Sequence, residues 1–180
     1  MIVMFLANGF EEVEALCPLD LMRRAGLDVR TVGIGGKEIV GSHGISVAAD
    51  IADCDYDASV TPELVFLPGG MPGTLNLGSS PLVLETIRKV NQNGGRIAAI
   101  CAAPSILGDM GLLAGKEAIC YPGFEDRLQG AVISDKRVVS DGNILTAAGM
   151  GVALDFGLLL VEVLCGKDKA QSLRHAVIAD

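Results

Sequence analysis

Short apolar runs alternate along this chain with longer segments whose apolar residues recur at helical spacing, and that alternation restricts its fold more than any other feature. Ile2 to Leu6, Leu64 to Leu67 and the Ile97 to Ile100 part of Arg96 to Ile100 are continuously apolar. Strands of that kind are covered on both faces, as in a parallel sheet. Between them, Glu11 to Ala25 repeats apolar residues at Val13, Leu16, Leu19, Leu21 and Met22 before a stop at Gly26. Ser80-Pro81 opens a second helix that runs through Leu84, Ile87 and Val90 to Gly94-Gly95. Leu27 to Ile34 is predicted as a strand and Ile45 to Val47 as part of a small excursion. Ala102 to Met110 and Gly151 to Leu164 are predicted as helices, with Ala118 to Cys120, Ala131 to Val139 and Ile144 to Ala147 as further strands. The expected architecture is α/β, a mostly parallel sheet with helices on both faces and right-handed crossovers. Ligands of such sheets sit beyond the carboxyl ends of the strands, which directs attention to the turns after Leu6, Leu67 and Ile100.

With 180 residues, half of them apolar, the chain can bury one sizeable core, and a single domain over residues 1–180 is expected. A formal net charge of -8 argues against nucleic acid or anionic lipid as a partner. The most apolar late stretch, Gly151 to Leu164, contains Asp155 and Glu162 and falls short of the about 20 residues a membrane span needs. No basic leader precedes Asn8, Glu11, Glu12 and Glu14, so a signal peptide is not expected. Five cysteines form no C-x-x-C pair and leave one over, which fits a reducing, cytoplasmic setting. His43 and His175 lie at no metal-site spacing, and neither a metal nor another cofactor is expected.

Chemistry concentrates at the third turn, Ala98-Ala99-Ile100-Cys101-Ala102-Ala103-Pro104. A cysteine between an apolar strand and a helix start, flanked by small residues, has the pattern of a nucleophile elbow, whose strained backbone admits only small neighbours. A helix start near the sulfur would favour thiolate and depress the pKa of Cys101. The second turn, Leu67-Pro68-Gly69-Gly70-Met71-Pro72-Gly73, offers backbone N–H groups that could form an oxyanion hole. It lacks the lysine and hydroxyl residue of a phosphate loop, and Glu38 replaces the third glycine of a dinucleotide fingerprint after Gly33-Ile34-Gly35-Gly36, so nucleotide binding is set aside. At the first turn, Glu11 and Glu12 are explained by the helix dipole. Glu14, at the edge of the apolar stripe, could enter the strand-end crevice and exchange a proton with Cys101.

These residues resemble the ThiJ/PfpI superfamily, also called the DJ-one superfamily, in the branch of the parkinsonism-associated protein deglycase. The matching segments are Gly9 to Glu14, Pro18 to Gly26, Leu67 to Gly70, Ala98 to Pro104 and Asp155-Phe156, so the resemblance spans nearly the whole chain. It implies a flavodoxin-like three-layer sandwich, usually a homodimer. It further implies that Cys101 is the reactive, easily oxidised thiol and that a protonated Glu14 donates a hydrogen bond to it. Backbone N–H groups of Gly70 and Ala102, with Gly69 beside them, would face the same sulfur.

The activity implied is a cofactor-free, glutathione-independent glyoxalase or protein deglycase, acting on small dicarbonyls or glycated substrates in oxidative-stress protection. Thiolate attack on a carbonyl would give a hemithioacetal. The alternative is a non-enzymatic redox sensor or chaperone-like stress protein that works through oxidation of Cys101. Peptidase-like members carry histidine where Ala102 stands here, so protease activity is not expected. Tyr121 stands where many members have histidine, and its phenol is expected to orient a substrate oxygen. His43 falls where relatives carry an arginine near the dimer contact, and is otherwise read as a surface-loop residue.

Overall fold

Every side chain of the first strand, β1 (Ile2–Leu6), is buried, and alternate residues serve two different cores. Ile2, Met4 and Leu6 join one apolar cluster, Val3 and Phe5 the other. That division requires cover on both faces, which the rest of the chain supplies. The structure is a computed structural model describing residues 1–179. The remaining strands are β2 (Val29–Gly33), β3 (Glu38–Val40), β4 (Ser46–Ala48), β5 (Ile51–Ala52), β6 (Leu64–Leu67), β7 (Arg96–Ile100), β8 (Glu117–Ala118), β9 (Val132–Ile133), β10 (Val138–Asp141) and β11 (Ile144–Ala147). The helices are α1 (Glu12–Arg24), α2 (Gly73–Ser79), α3 (Pro81–Gln92), α4 (Pro104–Asp109), α5 (Ala153–Cys165) and α6 (Lys167–Ala176).

Seven strands form the main sheet in the order β10-β11-β7-β6-β1-β2-β5. All its pairings are parallel except β10 with β11 at one edge. The central order is that of a flavodoxin-like fold, with the reversal of winding between β1 and β6. Helices α1, α5 and α6 supply one core, through residues such as Leu21, Phe156, Val161 and Leu173. Val83, Ile87, Ile106 and Leu107, from α3 and α4, supply the other. Cys101, Gly69 and the residues after Leu6 all lie at the carboxyl end of this sheet, where β7, β6 and β1 stop.

The long strands and core helices fall where the apolar pattern predicted them. Four short elements, β3, β5, α2 and α6, were not predicted. The expected strand from Ala131 to Val139 divides into β9, whose two residues are exposed, and β10, an edge strand. The helix expected from Ala102 starts at Pro104 and ends at Asp109, because Ala102 and Ala103 are spent on the turn out of β7. That shortening matters for the thiol.

Candidate active site

Cys101 directly follows β7 with φ of 65°, in the left-handed region that a side chain bearing Cβ enters at a penalty on the order of 1–3 kcal/mol. Its N–H donates to the Ala147 carbonyl at 2.8 Å, and its own carbonyl accepts from Tyr121 N–H at 2.8 Å. These two bonds, from the neighbouring strand β11 and from the loop after β8, hold the turn in place. The sulfur is thereby lifted out of the sheet, partly exposed.

Glu14 reaches the sulfur from α1. Glu14, Pro18 and Leu21 stand one helical repeat apart and are all buried, so the carboxyl belongs to the inward stripe of the helix rather than to its edge. Only 1% of the residue is exposed. One carboxyl oxygen, Oε2, accepts from Gly69 N–H at 3.1 Å; the Met150 N–H also donates to the carboxyl, and the carboxyl is hydrogen-bonded to Cys101. Burial pushes the Glu14 carboxyl up to about 7, although the bonds to Cys101, Gly69 and Met150 act the other way.

The expectation of an acidified thiol is overturned. Burial, followed by repulsion from Glu14, pushes Cys101 up to about 12, while hydrogen bonds from the Ala102 and Gly70 N–H groups lower it by less. The physical reason is twofold. Sulfur loses water, and the helix that was to stabilise its charge is a six-residue segment beginning three positions later. Burial raises both groups and each acts on the other, so they titrate as a coupled pair. A carboxyl so placed is within reach to take a proton from the thiol as a general base.

The glycine turn after β6 is shaped by close approach. A Cβ at Gly69 would stand 2.6 Å from the Cβ of Cys101, and one at Gly70 would stand 2.6 Å from the Gly9 carbonyl oxygen. Gly70 also has φ of 91°. Its N–H points at the sulfur, as does that of Ala102. The N–H of Gly69 does not have the expected role, because Glu14 occupies it; Gly69 holds the acid instead of facing an oxyanion. Gly70→Ala is expected to lower stability by about 3 kcal/mol or more, through strain and backbone overlap, read as a shift of the urea midpoint.

Tyr121 is brought to the elbow by its backbone. Its ring is half exposed and lies beside Gly149, where an added Cβ would be 3.3 Å from ring Cδ2 and 3.8 Å from Glu14 Oε1. The segment Gly149-Met150, after β11, is a part of the site that the sequence reading missed. Its signal was a glycine-bracketed turn at the same sheet end as the other three.

Glu12 was also misread. It is 4% exposed and clamps the β3–β4 loop: one oxygen accepts from His43 N–H at 2.7 Å and the other lies 2.9 Å from His43 Nδ1. Burial pushes this carboxyl up, but the His43 ring and backbone bonds outweigh it and hold the pKa at about 2. Glu11, Glu12 and His43 offer ligand atoms within 4.8 Å of one another, a grouping hidden by their sequence separation. Glu11 is engaged as the N-cap of α1, accepting from Glu14 N–H at 2.7 Å, and Glu12 is engaged by the loop. Among the described residues no helix is long and apolar enough to cross a membrane.

The model of the DJ-1/PfpI family matches residues 1–163. Protein dj-1beta of Drosophila melanogaster is 37% identical over 179 residues, covering 98% of this chain and 95% of the relative. Its crystal structure superimposes with a TM-score of 0.92 at 36% identity, over 98% of this chain and 96% of the other. Glutathione-independent glyoxalase DJR-1.2 of Caenorhabditis elegans is 32% identical over 165 residues, 91% of this chain and 87% of the relative. Oxidized Toxoplasma gondii DJ-1 superimposes with a TM-score of 0.94 at 31% identity, over 98% and 97% of the two chains. Since the match extends over both the helix that carries Glu14 and the turn that carries Cys101, and the likeness over nearly the full length, this chain belongs to the DJ-1/PfpI family.

Proposed function

We propose that this chain is a cysteine-dependent, cofactor-free enzyme acting on reactive dicarbonyls, a glutathione-independent glyoxalase with protein deglycase activity on glycated groups. The observation that carries the reading is a buried carboxyl, with its pKa at about 7, hydrogen-bonded to a thiol on a strained turn. A relative with the glyoxalase name supports it. Above that pH, Glu14 accepts the thiol proton while Sγ bonds to the aldehyde carbon of methylglyoxal. The carbonyl electron pair moves to oxygen, which takes the proton back from Glu14 and completes a hemithioacetal. Glu14 then removes the hydrogen from that carbon while the C2 oxygen gains a proton, giving an enediol; protonation at C2 and loss of the C1 hydroxyl proton leave a lactoyl thioester. Water cleaves the thioester to lactate and free thiol, so the sum is methylglyoxal plus water, with no external oxidant.

Gly70 and Ala102 N–H groups stabilise negative charge on sulfur or on the carbonyl oxygen. Tyr121 would orient the second carbonyl. A homodimer in the cytoplasm, protecting against dicarbonyl stress, belongs to the same reading. Purified protein is expected to form lactate from methylglyoxal without added glutathione or metal. No lactate above the buffer background would overturn the reading; where lactate forms in heavy water, deuterium at C2 marks proton transfer through a base that exchanges with solvent.

A redox-sensing role is favoured by one feature: two N–H donors and a neighbouring acid surround a partly exposed sulfur and could hold sulfinate oxygens. The oxidized form of Toxoplasma gondii DJ-1 is in keeping with it. A sensor requires that mild peroxide modify Cys101 ahead of the exposed Cys54 and Cys165, against the raised pKa that burial and Glu14 give its thiol, and mass spectrometry reads that order. The reverse order counts against a sensor.

A further inference from the structure

We propose that the cavity between α2, α3 and α4 is a second small-molecule site, for an amphipathic carboxylate. Its volume is about 540 Å³, within the range of pockets that enclose small ligands. Neither Cys101, Glu14 nor Tyr121 lines it. Its apolar wall is made by Leu75, Leu84, Ile106 and Met110, and its charge by Arg88, Arg127 and Asp109.

The two arginines differ in what they have left to offer. Arg127 is committed to Asp109 through a direct hydrogen bond. Arg88 has only a loose 3.7 Å pairing with Glu85 and makes no hydrogen bond among the described residues. Such an exposed pair, three residues apart on one helix, holds its partner weakly. A guanidinium with unused donors at the mouth of an apolar cavity suits a carboxylate, which it can bind by two parallel hydrogen bonds. The four apolar side chains would cover an attached hydrocarbon.

Thr74 supplies a further mark of incompleteness. This residue lines the cavity, is 1% exposed, and its hydroxyl finds no hydrogen-bond partner. Position adds weight. Helix α2 leads away from the glycine turn and α4 from the elbow, so the cavity lies between the two helices that follow the candidate active site without sharing its residues.

The test is a titration of isotopically labelled protein with hexanoate, 1-hexanol and hexylamine, following the methyl resonances of Ile106 and Met110. Hexanoate is expected to shift both saturably, with a Kd on the order of 1 mM for a ligand of that size. The alcohol and the amine should bind about ten-fold more weakly or worse, and Arg88→Ala should weaken hexanoate by about ten-fold while leaving the alcohol unchanged. Arg88 is half exposed, so the variant keeps its fold. Shifts without saturation, equal hexanoate affinity in Arg88→Ala, or shifts centred on Tyr121 would each overturn the proposal. Binding is read directly, so the outcome is independent of lactate formation.

Discussion

Glu14→Gln is expected to become more stable than the parent protein above neutral pH while losing most of its activity. In the folded chain the carboxyl keeps its proton to about 7, against an ordinary value of 4.5. Between those limits the folded state binds a proton that the unfolded state has released, so stability falls as pH rises and the loss is complete above about pH 7. The difference corresponds to about 3 kcal/mol. Glutamine is neutral at every pH and escapes the loss, and its amide can retain the Gly69 contact through oxygen. Urea unfolding at pH 4 and pH 8 measures the effect: near parity at pH 4 and a gain for the variant at pH 8. An equal difference at both pH values would show that the carboxyl is not held protonated by burial.

Activity should move the opposite way. Removing the base is expected to reduce kcat/KM by about 10²–10⁴-fold. The parent's kcat/KM should rise through about pH 7 to a plateau, as the pair loses its first proton, and Glu14→Gln should lack that limb. A variant that kept the limb would transfer the titration to another group.

Cys101→Ser is expected to reduce lactate formation to the buffer background. A hydroxyl is far less acidic than a thiol, and a carboxylate titrating near 7 cannot draw its proton off usefully. Folding should change by no more than about 1 kcal/mol, because serine keeps the size of the side chain and accepts from the same two N–H groups. Cys17, Cys54, Cys120 and Cys165 remain in the variant, so the loss is assigned to one sulfur. Lactate above background, with an unchanged thermal midpoint, would overturn the assignment of the nucleophile.

The central strands β1, β6 and β7 were legible because continuous apolar runs have one stable environment, between two helical layers. Elements outside that environment were not. Helix α2 is built from Gly73-Thr74-Leu75-Asn76-Leu77-Gly78-Ser79, a composition that reads as loop until packing fixes it. Helix α6 buries only Ala170 and Leu173, too little to mark a stripe. β9 is exposed and short, and its pairing with β8 depends on partners distant in sequence.

The acids of the first turn teach the same lesson at single-residue scale. Glu11 behaves as a helix start requires. Glu12 is buried only because the β3–β4 loop, some thirty residues on, folds over it, as its bond across a separation of 31 residues records. Glu14 shared the spacing of Pro18 and Leu21, a sign that was available in the sequence and pointed to full burial.

By itself the sequence determined a doubly covered parallel sheet, the elbow at Cys101 and the family to which both belong, since apolar periodicity and small flanking residues are local properties. Where the shared proton resides was decided by tertiary structure alone. A pKa answers to lost water and to neighbouring charge, and here these come from α1, the Gly69-Gly70 turn, the end of β7 and Met150, segments that meet only in the folded chain.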